Sequence, residues 1–160
     1  MIVVVVFDQL RDDAIGIDTP NLDALAARAV RFETCITNAP LCRPARISLL
    51  SGLHVHEHRF EDNQRVPRPG SLPSHVTELR EAGYRTAVVG KTHLHAGTGH
   101  LDDHRGLLHA WGYDEVIELP DAQMHHVRSA HSDHLTATTP PGEPAARRRA
   151  VAPRGRRSPR

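Results

Sequence analysis

The sequence of 160 residues has no long hydrophobic segment. The apolar run IVVVVF at residues 2–7 has six residues, whereas a membrane-spanning helix needs about 20. No basic stretch precedes this run and acidic residues follow it, so it lacks the pattern of a secretory signal peptide. The sequence therefore predicts a cytoplasmic protein with no membrane partner.

Cysteine is scarce as well, with only Cys35 and Cys42 in the whole chain. In a reducing cytoplasm, two cysteines are not expected to form a disulfide. Residues 31–37 have the pattern of a short strand, and we expect Cys35, which lies within it, to be a small core residue. Cys42 lies in a different context and is considered below as a nucleophile.

Three histidines at alternate positions, His54, His56 and His58, suggest a zinc site. However, the segment has no second group of ligands at the spacing of a zinc finger. We therefore interpret it as a loop rather than as a metal centre.

Charge is distributed unevenly along the chain. Residues 1–135 carry 13 basic and 18 acidic side chains, whereas residues 136–160 carry seven arginines, one acid and five prolines. Such a tail cannot build a core and is expected to be disordered. It could bind nucleic acid or another polyanion, but no aromatic side chain lies among its arginines. We favour a shifted reading frame in GC-rich DNA as its origin.

The β-branched run at residues 2–7 is typical of a strand buried in a parallel sheet. Asp8 and Gln9 follow it directly. In open α/β sheets, ligands bind beyond the carboxyl ends of strands, and carboxylate and amide oxygens suit hard cations. Asp8 and Gln9 are therefore candidate metal ligands. Asp8 could instead be a helix cap, and Gln9 could donate a hydrogen bond to a metal ligand without binding the metal itself.

A second candidate site lies in LCRPARISLLSG at residues 41–52. Pro44 suits the first turn of a helix, so we expect Cys42 at or just before the helix start. Free N–H groups there favour an anion or a deprotonated nucleophile, and Arg46 adds a positive charge one turn later. A buried structural cysteine near a surface arginine is the alternative interpretation.

A third candidate site follows a predicted strand at residues 84–90. Lys91 and His93 come directly after this strand, where a point charge and a proton donor could stabilise negative charge on a leaving oxygen. Taken alone, each would be interpreted as solvated surface. His95, two residues further, has no assigned role.

The remaining segments have structural interpretations. Residues 19–30 have the pattern of an amphipathic helix capped by Thr19. Residues 72–83 predict a helix that ends at Gly83, and WGYD at residues 111–114 predicts a turn that leads into a strand.

Several of these segments resemble signatures of the type I, formylglycine-dependent sulfatases of the alkaline phosphatase superfamily. CRPAR at residues 42–46 resembles the CxPxR motif, GKTHL at residues 90–94 the GKxHL motif, and residues 19–32 the TPNLDxLAxxxVxF stretch. Asp8-Gln9 lies where many members have Asp-Asp. This variant is similar to the sequence in the branch of choline sulfatases and phosphonate monoester hydrolases.

The resemblance implies an α/β fold, an alkaline phosphatase-like sandwich in which helices flank a mainly parallel central sheet. It covers residues 1–135 as a partial N-terminal domain and leaves residues 136–160 as a separate tail. Members of the family are several times longer, and we find no match here for their second pair of metal ligands. We therefore expect a truncated sulfatase chain and leave its activity on its own open.

The resemblance also implies chemical roles. Cys42 would be converted to formylglycine by a formylglycine-generating enzyme, and the hydrated aldehyde would attack a small-molecule sulfate ester. Cys42, Asp8 and Gln9 would hold a divalent cation, foremost Ca²⁺, with Mn²⁺ or Mg²⁺ as alternatives. Arg46 would help to deprotonate the nucleophile.

Three further residues would face the substrate. Lys91 and His93 would contact the ester and stabilise its leaving group. Asn63 matches a position near the substrate anion in the choline sulfatase branch, although an asparagine in a polar loop is usually a turn residue. A phosphonate monoester or phosphodiester hydrolase is the alternative enzyme, and a non-catalytic fragment that binds polyanions is the alternative from another class.

Overall fold

The computed structural model of the chain describes residues 1–16, 19–120 and 127–138. Most of the predicted tail, residues 139–160, lies outside the described residues. The chain divides into two compact units, Met1–Thr37 and Asn38–Arg160. The predicted α/β class is confirmed, since the second unit combines helices with a parallel pair of strands.

The first unit contains a 3-10 turn at Asp12–Ala14 and the helix α1 (Pro20–Ala26). The proline at its first position agrees with the prediction, but the helix ends four residues early. The Thr19 hydroxyl caps no helical N–H group; it accepts a hydrogen bond from the N–H of Gly16 at 2.7 Å and lies 3.3 Å from an Asp23 carboxylate oxygen.

The prediction of an N-terminal strand is wrong for this structure. Residues 2–7 belong to no strand, and their side chains are 53% to 68% exposed. β-Branched residues favour a pleated backbone, but a strand also needs a hydrogen-bonded neighbour. Residues 31–37 form no strand either, and Cys35 is exposed rather than part of a core.

The second unit contains the other helices and both strands. In chain order they are α2 (Cys42–Ser51), α3 (Val55–His58), α4 (His75–Glu81), β1 (Ala87–Gly90), a 3-10 turn at Leu101–His104, α5 (Arg105–Ala110), β2 (Glu115–Glu118) and α6 (Ala130–Thr138). α6 continues three residues past the predicted domain boundary. The predicted loop that carries the three histidines is largely the short helix α3, so that interpretation is corrected.

β1 and β2 are parallel neighbours, with Ala87 opposite Glu115 and Gly90 opposite Glu118. The predicted turn before β2 sets this register, because the Thr86 N–H donates to the Asp114 carboxylate at 2.9 Å. Gly112 adopts a φ of 104° in this turn, and a Cβ there would lie 2.8 Å from the Thr77 backbone nitrogen. Glycine therefore lets the turn approach α4 closely.

Helix boundaries follow local signals. α2 ends at Ser51, and Gly52 follows as its C-cap with a left-handed φ of 72°, which glycine adopts easily. α4 begins three residues later than predicted because Ser74 is its N-cap, and its hydroxyl oxygen accepts from the Thr77 N–H at 3.4 Å.

An apolar cluster joins α2, α4 and α5 to the strands. Its buried members are Ile47, Leu50, Val76, Leu94, Leu108, Trp111 and Val116. The cluster fixes the inner face of α2 against the strands and the loop that follows β1. Since parallel strands end at one edge of a sheet, Lys91 and Glu118 come to the same edge.

Candidate active site

Cys42 is the first residue of α2, as predicted, and its side chain is half-buried. Leu41 precedes it with extended backbone and provides no side-chain cap. Pro44, buried in the first turn, needs no hydrogen-bond partner there. The thiol therefore lies where the free N–H groups and the positive end of a ten-residue helix favour an anion.

Arg46 connects α2 to the loop that follows β1. Its Nη1 donates to the backbone carbonyl of Lys91 at 2.6 Å, so the guanidinium lies beside this loop. Arg46, Lys91 and His93 are all half-buried. The structure thus brings three of the predicted residues together.

Arg43, which the sequence analysis did not single out, is the most buried charged residue of the site, with 3% of its surface exposed. Its Nε and Nη2 donate to the carbonyls of His93 and His95 at 2.9 Å each, and Nη1 donates to the carbonyl of Asn63. Burial lowers the pKa of the Arg43 guanidinium, and the nearby charge of Asp62 partly offsets this. An arginine in the variable position of CxPxR was the available signal.

Asn63 contacts α2 directly. Its side-chain Oδ1 accepts a hydrogen bond from the backbone N–H of Arg43 at 2.9 Å, which satisfies one of the free donors in the first turn. Asn63 is otherwise exposed. It therefore acts in this structure as a capping group supplied from a distant loop.

A buried polar group behind the loop was also missed. The Glu118 carboxylate, at the end of β2, accepts from the N–H of Thr92 at 3.3 Å and from the Thr92 hydroxyl, and lies 2.6 Å from Nε2 of His95. All three residues are buried. The alternation of EVIE at residues 115–118 was a usable signal, since it places this acid on the same strand face as the core residue Val116.

A small cavity lies at this edge of the sheet. Its volume is about 20 Å³, which is room for about one water molecule. The residues that line it are Lys91, His93, His95, Gly97, Leu101, Glu118, Leu119 and Pro120. The buried acid and the two predicted substrate residues therefore border the same space.

Asp8 and Gln9, the predicted metal ligands, lie in the first unit. Both are exposed and form a turn in which Gln9 has a left-handed φ of 61°. Their carboxylate and amide oxygens fit a hard cation in kind, but Ca²⁺ takes about six to eight oxygen ligands. Within residues 1–16, 19–120 and 127–138, no cluster of three or more His, Cys, Asp or Glu side chains could hold a metal ion. As candidate ligands, these two residues alone therefore do not complete a cation site.

The three histidines after α2 have structural contacts. His58 is buried, and its Nδ1 accepts from the Phe60 N–H at 3.0 Å, so its Nε2 carries the proton that faces the Ser48 hydroxyl at 3.0 Å. Burial lowers the pKa of His58, and Glu57 opposes this. His54 and His56 are exposed and stack with ring centroids 5.6 Å apart. Nothing in this arrangement supports zinc.

This arrangement defines an α/β protein that carries a half-buried thiol at a helix start and a basic loop at the end of a parallel strand. The family model described as Sulfatase matches residues 1–138. The chain belongs to the sulfatase family. In the part of the chain that the structure describes, no helix has the length and apolarity needed to cross a membrane.

Curated relatives agree with this assignment. The chain is 39% identical over 99 residues to a choline-sulfatase of Rhizobium meliloti, an alignment that covers 58% of this chain and 19% of that protein. It is 32% identical over 117 residues to an arylsulfatase of Clostridium perfringens, covering 68% of this chain and 24% of that protein.

A third relative is the N-acetylglucosamine-6-O-sulfatase of Bacteroides thetaiotaomicron, 38% identical over 78 residues, with 49% of this chain and 14% of that protein covered. The chain thus spans less than a quarter of the length of each of these relatives.

Proposed function

We propose that the protein hydrolyses small-molecule sulfate esters with a formylglycine formed from Cys42 by a formylglycine-generating enzyme. One observation carries this proposal. Arg43 and Arg46, on the first turns of the helix that begins with Cys42, hydrogen-bond to backbone carbonyls of the loop that contains Lys91 and His93. The candidate nucleophile and the candidate substrate residues thus belong to one hydrogen-bonded arrangement.

Each residue of this arrangement has a chemical task in the proposal. The helix start and Arg46 stabilise negative charge next to the nucleophile derived from Cys42. Lys91 supplies a compact positive charge for the sulfate oxygens, and His93 supplies a proton for the leaving alcohol. Asn63, as a cap of α2, keeps the first turn in place and can still offer its exposed amide to an anion.

A divalent cation completes the proposal, with Ca²⁺ as the first candidate because carboxylate and amide oxygens are hard ligands. Asp8 and Gln9 would supply two of its ligands. When bound, the cation would supply positive charge that neutralises the charge of a sulfate ester.

Sulfate esters are favoured over phosphonate monoesters and phosphodiesters. The relatives reported above carry sulfatase names, and the GKTHL segment that places Lys91 and His93 resembles the sulfatase motif. A phosphonate or phosphodiester substrate would need the same nucleophile. The relative turnover of a sulfate ester and a phosphonate ester therefore has to distinguish the two activities.

The proposal is tested by coexpressing the chain with a formylglycine-generating enzyme and analysing it by mass spectrometry. The mass change of a thiol converted to an aldehyde is expected at Cys42. It should persist in Cys35→Ala and vanish in Cys42→Ala. Absence of conversion in the wild-type chain would overturn the role of Cys42.

The converted protein is then assayed with 4-nitrophenyl sulfate and with an aryl phosphonate monoester. Preferential release of nitrophenol from the sulfate ester is the expected result. Preferential turnover of the phosphonate would replace the proposed reaction with its alternative, and turnover of neither compound would refute catalysis by this chain alone.

A further inference from the structure

Glu118 and His95 form a buried acid–histidine pair to which the proposed reaction assigns no task. Their side chains are 4% to 5% exposed, and the Nε2 atom of His95 lies 2.6 Å from the Glu118 carboxylate. Thr92 donates to the other carboxylate oxygen through both its N–H and its hydroxyl. Placing a carboxyl group away from water is costly unless its oxygens receive hydrogen bonds.

The protonation of this pair follows from its partners. Nδ1 of His95 accepts the N–H of Gly97 at 2.9 Å, so it carries no proton. The proton of the neutral imidazole therefore lies on Nε2 and points to Glu118. Because all three bonds to Glu118 come from donors, the carboxyl group acts only as an acceptor, which is the role of its ionised form.

The loop that this carboxylate holds is the one that carries Lys91 and His93. Its backbone is fixed from the other side by α2, since Arg43 binds the carbonyls of His93 and His95. Within this loop His93 has a left-handed φ of 61°, a conformation that non-glycine residues adopt at a cost. Contacts on both sides of the loop are needed to keep that conformation.

We propose that Glu118 is a positioning residue: through Thr92 and His95 it sets the loop that presents Lys91 and His93 to an anionic ester. This inference rests on the proposed function for the nature of the ligand. Glu118 itself contacts neighbours of the two substrate residues rather than the ester. Its task is to fix where one positive charge and one proton donor lie relative to α2.

A carboxylate suits this task better than an amide of the same shape. In Glu118→Gln one terminal oxygen can still accept from Thr92, but the terminal NH₂ group then faces the Nε2–H of His95. Two donors would meet at about 2.6 Å with no acceptor between them. The histidine must then turn, or exchange its proton position and so lose its bond to Gly97. If the amide instead turns its oxygen to His95, its NH₂ group meets the N–H of Thr92, so either orientation breaks one contact of Glu118.

The test compares Glu118→Gln with Glu115→Gln in the full chain. Glu115 lies on the same strand but is exposed and paired with Arg85, so the control makes the same chemical change away from the loop. Three quantities are measured by NMR: the ring ¹⁵N shifts of His95, amide exchange of residues 90–97, and the dissociation constant for inorganic sulfate.

In the wild-type chain, the ¹⁵N shifts should show a protonated Nε2 and an unprotonated Nδ1 at His95. In Glu118→Gln the pairing with His95 or the pairing with Thr92 should be lost, and exchange should rise selectively at residues 90–97. Sulfate should bind about tenfold more weakly, because a loop that has lost one charged hydrogen bond no longer holds Lys91 and His93 in place. Glu115→Gln should leave all three quantities within about twofold of wild type.

Unchanged loop exchange and sulfate affinity in Glu118→Gln would overturn the positioning role. If that variant does not fold, the wild-type ring shifts still decide, because a proton on Nδ1 of His95 contradicts the pairing. If sulfate binds neither the wild-type chain nor the variants, the proposed function loses its anion site. A selective rise of amide exchange at residues 90–97 in Glu118→Gln would still support Glu118 as the residue that orders the loop.

Discussion

Arg46 donates a hydrogen bond of 2.6 Å to the backbone carbonyl of Lys91, 45 positions further along the chain. This bond joins the helix that begins with the candidate nucleophile to the loop that carries the candidate substrate residues. A guanidinium is planar, carries five N–H donors in fixed directions and keeps its positive charge whatever it binds. Arg46 can therefore hold the loop and stabilise charge at the same time.

A lysine in place of Arg46 should not be able both to hold the loop and to stabilise charge. An ammonium group is a single point of charge and cannot present donors in two fixed directions. We expect Arg46→Lys to weaken sulfate binding by about tenfold, as for one charged hydrogen bond. Arg68→Lys, a change at an exposed arginine, is the matched control, and equal sulfate affinity of the two variants would contradict the prediction.

Arg43 should matter for stability more than for chemistry. Its guanidinium binds three backbone carbonyls in a buried position. Arg43→Met keeps much of the apolar volume but leaves these carbonyls without their donor, which should lower the free energy of unfolding by about 3 kcal/mol. Urea denaturation measures this loss.

Arg68→Met serves again as the control for a change at an exposed arginine and should alter stability by less than about 0.5 kcal/mol. A loss of similar size in both variants would mean that the three carbonyl contacts of Arg43 contribute nothing specific.

The sequence was most informative where the signal is local. The start of α2 at Cys42 and its end before Gly52 follow from proline and glycine positions, and the turn before β2 follows from its glycine. These predictions need only short-range sterics and hydrogen bonding.

The failures concern contacts between distant segments. The valine run at residues 2–7 has strand propensity, but propensity does not supply a neighbouring strand. The contacts of Arg43 with Asn63 and His95 join positions 20 and 52 residues apart, and no local pattern predicts such pairs. The acid at 118 was accessible through strand alternation, but its partner His95 was not.

Asn63 offers a way to separate a capping role from a substrate role. Asn63→Asp keeps an oxygen that can accept the Arg43 N–H and adds negative charge near a helix N-terminus, so stability should be maintained. Asn63→Ala removes the acceptor and should cost about 1 kcal/mol of unfolding free energy.

Sulfate binding then reports on the second role. If the exposed amide of Asn63 also faces the anion, the aspartate variant should bind sulfate more weakly although it folds normally. If the aspartate variant binds sulfate as the wild type does, Asn63 is only a cap. Calorimetric titration with sulfate distinguishes the two results.

The proposed cation site can be tested at Asp8. Removing the charge of a ligand weakens its attraction for a divalent cation, so Asp8→Asn should raise the Ca²⁺ dissociation constant by about tenfold. Asp13→Asn, at an exposed acid that pairs with Arg11, is the matched control. Identical calcium titrations of the two variants would remove Asp8 from the ligand set.

His58 should make the stability of the second unit depend on pH. Burial lowers the pKa of its imidazole, and its Nδ1 accepts a backbone N–H that a second ring proton would displace. The unfolded chain, with the usual histidine pKa of about 6.5, therefore takes up this proton at a higher pH than the folded chain does. Between the two values the unfolded state binds more protons, so stability falls as pH falls.

The contribution of His58 to the free energy of unfolding should accordingly be constant above about pH 7. It should decrease once the pH falls below the pKa of this histidine in the unfolded chain. His58→Gln should flatten that decrease, whatever its effect on stability at neutral pH. His56→Gln, at an exposed ring on the same short helix, should leave the slope as in the wild type. Urea denaturation at several pH values between about 5 and 8 gives the slopes. A slope unchanged by His58→Gln would show that other groups carry the pH dependence.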